Sequence, residues 1–236
     1  MRVIAGKFRS RPLRTLRGMA LRPTSDRLRE TLFNVLGASV EGSTFVDLFA
    51  GTGAIGIEAL SRGAPCVIFV ENHAAAVKLI RENLKSLGVS ALMRDSKDSP
   101  QRLKPHSFSV ADGTAALREI HSGREAMPLH DAGAHQRNIS GKVEILPTGA
   151  IRGLKQFAAQ GGRPDFVFMD PPYARAEEYE RVLEFIDSVR VLAAEGMVIA
   201  EHAKRIELPE RMQSLERTRV LVQGDSALSF YQAAGY

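Results

Sequence analysis

The sequence predicts an α/β fold on a largely parallel sheet, and three stretches carry that prediction. Val46-Asp47-Leu48-Phe49-Ala50-Gly51-Thr52-Gly53-Ala54-Ile55-Gly56 leaves a β-prone apolar run that begins at Thr44, crosses a glycine turn and enters a helix-forming run. Pro65 to Glu71 is a second apolar run ending in an acid; with the helix between them, the two strands form a βαβ unit and run parallel. Asp165 to Asp170 is a third such run, and it delivers Pro171-Pro172-Tyr173. Turns that follow parallel strands gather at one edge of the sheet, where open α/β folds bind their ligands.

The remaining elements follow in chain order. Arg2 to Gly6 and Pro12 to Leu16 flank a basic turn, Lys7-Phe8-Arg9-Ser10-Arg11, and predict a hairpin with Phe8 placed to stack on a base. Pro23 closes that segment, and Thr24 or Ser25 can cap a helix from Asp26, with Leu28, Leu32, Val35 and Leu36 on one face. Asn72 to Leu87 reads as an amphipathic helix with Ala76, Ile80, Leu84 and Leu87 inward. From about 90 to 142 prolines and glycines interrupt any period, which predicts an insertion. His106, His121, His130 and His135 lie there without metal-ligand spacing, so no metal is expected. Val143 to Leu146 resumes as a strand, Ala150 to Ala159 as a helix, and Arg175 to Val189 as a helix with Tyr179, Val182, Leu183 and Ile186 inward. Gly196 to Glu201 is a strand; Arg219 to Val222 and Leu228 to Tyr231 pair about Gly224-Asp225.

A length of 236 residues suits one domain with a small appendage: a basic segment at 1–22 and a main domain at 23–236. No run reaches the roughly 20 apolar residues of a membrane span, the N-terminus has no signal-peptide core, and Cys66 has no partner for a disulfide, so the expected location is cytoplasmic. Residues 1–30 hold nine Arg or Lys against two acids, a local charge of +7 in a chain of net +5. Such clustering suits a nucleic-acid backbone, and Arg2, Lys7, Phe8, Arg9, Arg11, Arg14 and Arg22 are the candidate contacts.

Gly51-x-Gly53-x-x-Gly56, with Glu71 twenty residues after Gly51, fits a dinucleotide fingerprint. Asp47 argues against a dinucleotide, because a carboxylate at the strand end repels a pyrophosphate and suits a cation. S-adenosylmethionine carries a sulfonium and an ammonium with a ribose for Glu71, and it is the expected cofactor. Asp170-Pro171-Pro172-Tyr173 supplies matching chemistry. Prolines fix φ, so the Asp170 carboxylate and the Pro171 carbonyl can grip both hydrogens of an exocyclic amine, while Tyr173 offers a face for the base.

Arg22-Pro23-Thr24-Ser25-Asp26-Arg27-Leu28-Arg29-Glu30, the stretch from Asp47 to Gly63, and Asp170-Pro171-Pro172-Tyr173 together resemble the RsmD family of 16S ribosomal RNA guanine-N2 methyltransferases over residues 1–89 and about 143–236. The resemblance implies a Rossmann-like class I S-adenosylmethionine-dependent methyltransferase sheet of seven strands, the last antiparallel, with an N-terminal β-hairpin extension. It implies a cofactor set of Thr24, Asp47, Phe49, Gly51, Gly53, Glu71 and Asn72, and catalytic positions Asp170, Pro171, Pro172 and Tyr173. It further implies a monomer acting on 16S rRNA within a partly assembled small ribosomal subunit. The family's acid near the adenine is replaced by Thr148-Gly149-Ala150, or its counterpart is Asp112. Three other readings stand beside this one: a DNA adenine-N6 methyltransferase, a catalytically impaired RNA-binding assembly factor, and an NAD-dependent oxidoreductase.

Overall fold

The computed structural model describes residues 1–15, 25–94, 142–172 and 175–234. Its strands are β1 (Thr44–Leu48), β2 (Cys66–Val70), β3 (Leu92–Met93), β4 (Lys142–Leu146), β5 (Phe166–Met169), β6 (Met197–Ala203), β7 (Leu215–Gln223) and β8 (Ser226–Ala233). They form one sheet in the order β3-β4-β2-β1-β5-β6-β8-β7, in which β8 alone opposes its neighbours. The expected seven strands are all present. The eighth, β3, is two exposed residues at the sheet edge, too short and too exposed to leave an apolar signature.

Alternation divides the sheet residues between two helical layers. Phe45, Phe69, Phe166, Phe168 and Ile199 pack on the side of α1 (Asp26–Leu36), α2 (Ala54–Ser61) and α3 (Ala74–Ser86). Val46, Ile68, Val70, Val167 and Met169 pack on the side of α4 (Ala150–Ala159) and α5 (Glu177–Val189). Ser25 caps α1, its side chain accepting the Leu28 N–H at 3.1 Å. The inward face of α1 is Leu28, Arg29, Leu32, Phe33 and Leu36; Val35 and, on α3, Leu87 are only half-buried.

Gly56 lets α2 lie close to the sheet. A Cβ there would sit 2.4 Å from Cε1 of Phe69 on β2, inside any tolerable contact. Gly56→Ala is expected to cost about 1–3 kcal/mol by overpacking, and pairing it with Phe69→Leu should recover part of the loss in urea titration. Additive losses in the double variant would contradict this contact.

The N-terminal segment is docked on the domain, with Val3 and Leu13 buried in the core beside α1 and α2. The expected hairpin is short: one antiparallel bridge, Arg2 to Pro12, flanked by Val3 N–H on the Arg11 carbonyl (3.0 Å), Ser10 N–H on the Val3 carbonyl (2.9 Å) and Leu13 N–H on the Met1 carbonyl (3.1 Å). Side chains of α2 add to this ladder. Glu58 accepts the N–H of Ile4 (2.8 Å) and Ala5 (3.0 Å), and the Ser61 hydroxyl accepts the Phe8 N–H at 2.9 Å. Phe8 itself is half-buried against the core, with the Lys7 ammonium 5.6 Å from its ring centre. Hydrophobic contact holds it: the ring has core to cover. The exposed neighbours Arg2, Lys7, Arg9, Arg11 and Arg14 keep the basic surface.

Candidate active site

Strand register aligns the site. Leu146, Val70, Leu48, Met169 and Ala200 are mutual partners across β4, β2, β1, β5 and β6. The next residues along the carboxyl edge are therefore Pro147, Glu71, Phe49, Asp170 and Glu201. Neighbouring strands lie about 4.8 Å apart, so Glu71 and Asp170 stand roughly 10 Å apart on either side of β1. A ligand that bridges them must cross the glycine turn.

That turn is held from the acid side. Glu71 Oε2 accepts the Gly51 N–H and Oε1 the His73 N–H, each at 2.8 Å. A carboxylate offers about four lone-pair sites, so both oxygens retain acceptor capacity for a diol. Gly51 (φ 54°) and Gly53 (φ 77°) occupy the left-handed region that glycine enters without strain, and Gly53 starts α2. Phe49 shares that region at φ 60°, an uncommon position for a bulky residue and a mark of a constrained site. Asn72 is exposed beside Glu71.

Asp47, the acid expected to suit a cation, lies under the start of α2. It is 2% exposed, on the α2 side of β1, and its Oδ2 accepts the Gly56 N–H at 2.9 Å in the first turn of α2. Burial raises its pKa, the Gly56 hydrogen bond opposes the rise and Glu71 adds to it, with the net result pushed up to about 7. Asp170 is half-buried at the end of β5; desolvation first, then Glu201 and Asp47, hold its carboxyl well above the ordinary range. Asp47, Glu71, Asp170 and Glu201 thus concentrate negative potential at one edge, which a cationic ligand would relieve and a pyrophosphate would worsen.

The sign of the pH effect follows. A carboxyl whose folded-state pKa exceeds its unfolded one keeps its proton longer in the folded chain, so stability falls as pH rises from about 4 to about 7. Asp47→Asn retains an acceptor for the Gly56 N–H without the charge. It should unfold at a higher urea midpoint than wild type at pH 8, and the difference should shrink toward pH 4. A lower midpoint at pH 8 would refute the buried-charge account.

Pro171 is buried and Pro172 exposed; the Pro172 carbonyl accepts the Arg175 N–H at 2.7 Å, turning the chain toward α5. Beneath them the Tyr179 hydroxyl donates to the Glu201 carbonyl at 2.7 Å, fixing α5 to β6. Tyr173, Thr24, Arg22 and Asp112 lie outside the described residues, as does most of the insertion. At the other open position Thr148 is buried and Gly149 precedes α4, beside a cavity of about 380 Å³ lined by Gly149 to Arg152, Lys155, Glu178 and Arg181. Among the described residues no cluster of His, Cys, Asp and Glu could hold a metal, and no helix is long and apolar enough to cross a membrane.

Sequence reasoning missed the polar residues that support this edge. Glu58 is fully buried, bound by Arg62 Nε at 2.8 Å, with Arg29 Nε at 3.8 Å. Arg29, also fully buried, donates to the Arg2 carbonyl (2.5 Å) and Asp26 (3.0 Å). Asn83 on α3 has no exposed surface. The Glu58 and Arg62 pair, four apart at the end of α2, and the Asp26 and Arg29 pair, three apart on α1, had a local signal; Asn83 had none.

A sheet of this order with a glycine turn after its first strand and an Asp-Pro-Pro corner on the adjacent strand defines a class I methyltransferase fold. The solved structure of yhhF from Escherichia coli superposes with a TM-score of 0.66 at 26% identity, covering 99% of this chain and 97% of that one. SMU.776, solved in complex with S-adenosylhomocysteine (SAH), shares the fold at a TM-score of 0.53 and 13% identity, over 88% of this chain and 48% of that one. Residues 1–110 and 120–232 match the model of the family described as Conserved hypothetical protein 95, the RsmD family, and the chain belongs to it. The Ribosomal RNA small subunit methyltransferase D of Escherichia coli is 27% identical over 233 residues, covering 98% of this chain and 89% of that protein.

Proposed function

We propose that this chain transfers the methyl group of S-adenosylmethionine to the N2 amine of a guanine in small-subunit ribosomal RNA. The observation that supports it most is the shared register of Glu71 and Asp170 on either side of the glycine turn. S-adenosylmethionine supplies an electrophilic methyl on a sulfonium. Glu71 would take the ribose hydroxyls; Gly51 and Gly53 border the methionine part with Phe49 and Asn72 beside them, and the buried Asp47 favours the cationic end. The relatives named for rRNA methylation, together with the exposed Arg2, Lys7, Arg9, Arg11 and Arg14, support RNA as the substrate.

An exocyclic amine is a poor nucleophile because its lone pair is delocalised into the ring. Asp170 and the Pro171 carbonyl accept its two hydrogens and turn the lone pair toward the methyl. A nitrogen–carbon bond forms as the sulfur–carbon bond breaks, and one amine proton then leaves to water. Rate comes from positioning. A base inside a helix must first be extruded.

Labelled methyl transfer to naked small-subunit rRNA, to small subunits lacking the modification and to duplex DNA tests the substrate. Label in either RNA substrate is the expected result. Label confined to DNA would establish the adenine-N6 reading, and retained RNA binding with no transfer would establish the assembly-factor reading.

A further inference from the structure

The fully buried Asn83 touches two places at once. Its Oδ1 accepts the Arg14 N–H at 2.8 Å, and its Nδ2 donates to the carbonyls of Arg14 (3.2 Å) and Thr52 (3.0 Å). Both amide hydrogens and the oxygen are committed, and the partners fix which way the amide faces. Thr52 is the centre of the Gly51–Thr52–Gly53 turn, whose Gly51 and Gly53 N–H groups are bound by Glu71 and by the Ala50 carbonyl. Arg14 belongs to the basic segment and its side chain is 69% exposed, paired with Glu82 of α3 at 2.9 Å. The same helix end receives Arg11, whose Nη2 donates to the Ser86 carbonyl at 2.9 Å. Met1 reaches the turn as well, its sulfur 3.7 Å from the Thr52 hydroxyl.

We propose that Asn83 is a positioning residue that couples the basic N-terminal segment to the glycine turn, so that RNA on the segment and cofactor in the turn tighten each other's binding. The inference rests on the functional reading above. Ordering either backbone fixes the one amide that the other also needs, so the second ligand meets a turn or a segment that is already set. The two enhancements must be equal, because coupling between binding sites is reciprocal. A side chain whose role was only to fill the core would produce no such exchange.

The test is a titration of SAH, which cannot turn over, with and without small-subunit rRNA. It uses the wild type, Asn83→Ala, and Leu84→Ala as a core truncation on the same helix. RNA should tighten SAH about 5- to 20-fold in the wild type, within the usual range of coupling. The enhancement should fall below about 2-fold in Asn83→Ala and persist in Leu84→Ala. Asn83→Ala with an unchanged enhancement, or Leu84→Ala losing it equally, would overturn the coupling. A wild type that binds both ligands with no mutual effect would overturn it while leaving the functional reading intact. A wild type that binds neither would remove both.

Discussion

Asp170→Ala should lower kcat for methyl transfer about 10³-fold while leaving SAH affinity within a few-fold of wild type. The size follows from the role. Removing one group that acts in the transition state costs about 10²–10³ in rate, and about 10³ corresponds to roughly 4 kcal/mol. The carboxyl should act as an acceptor for the amine hydrogens, so the ground-state complex with cofactor hardly depends on it. Asp170→Asn is the sharper variant: it keeps the volume and one acceptor yet turns half of the group into a donor, and it should be nearly as slow. Because desolvation first, and then Glu201 and Asp47, raise the Asp170 pKa, the acid limb of the wild-type pH–rate profile should lie above the ordinary carboxylate range. Glu201→Gln removes one repelling charge and should move that limb to lower pH. Single-turnover rates and SAH titration separate the two effects. A variant that loses SAH binding and rate together would mean that Asp170 holds the cofactor instead.

Glu58→Ala should be the most damaging single change outside the reacting groups, costing about 3–5 kcal/mol, or about 10 °C in Tm at roughly 2–4 °C per kcal/mol for a chain of this size. The glutamate is fully buried and receives Arg62 and the backbone N–H groups of Ile4 and Ala5. Its removal leaves those donors unmatched and strips a counter-charge from Arg29, whose guanidinium pKa desolvation already lowers. The N-terminal segment should also become accessible to protease well below the global transition, since two of its anchoring bonds end on this carboxylate. Glu41→Ala, an exposed acid in the loop before β1, should change Tm by less than about 2 °C, or under ~0.5 kcal/mol. Comparable losses in the two variants would show that burial of Glu58 is not what matters.

The stretches that reached the site were legible because their signals are local. β1 leads into a glycine turn, β2 is an apolar run ending at Glu71 and β5 runs into Asp170 and two prolines, and the carboxyl edge follows once they are known to be parallel. Glu71 was readable as a spacing from Gly51, and Asp170 as the acid before two prolines. What stayed hidden depends on contacts distant in sequence. Glu58 meets Ile4 across 54 positions and Asn83 meets Arg14 across 69, and no helical period marks a glutamate or an asparagine for burial. The first helix shows the same limit: Leu28, Leu32 and Leu36 were identified, while Arg29 and Phe33 completed the buried face in place of Val35. Phe8 was readable as a ring among cations, but its packing on the core depends on residues distant in sequence. Asp47 carried the right charge for the argument but lies under the start of α2, so its influence on a ligand would act through potential more than through contact.

The most direct measurement is the identity of the methylated nucleoside. Small subunits lacking the modification would be incubated with the wild-type protein and S-adenosylmethionine, digested to nucleosides and analysed by mass spectrometry. The account predicts N2-methylguanosine, produced by the wild type and absent with Asp170→Ala. A methyl group on adenine, on a ribose or on a ring carbon would contradict the amine-gripping role given to Asp170 and Pro171 at guanine N2.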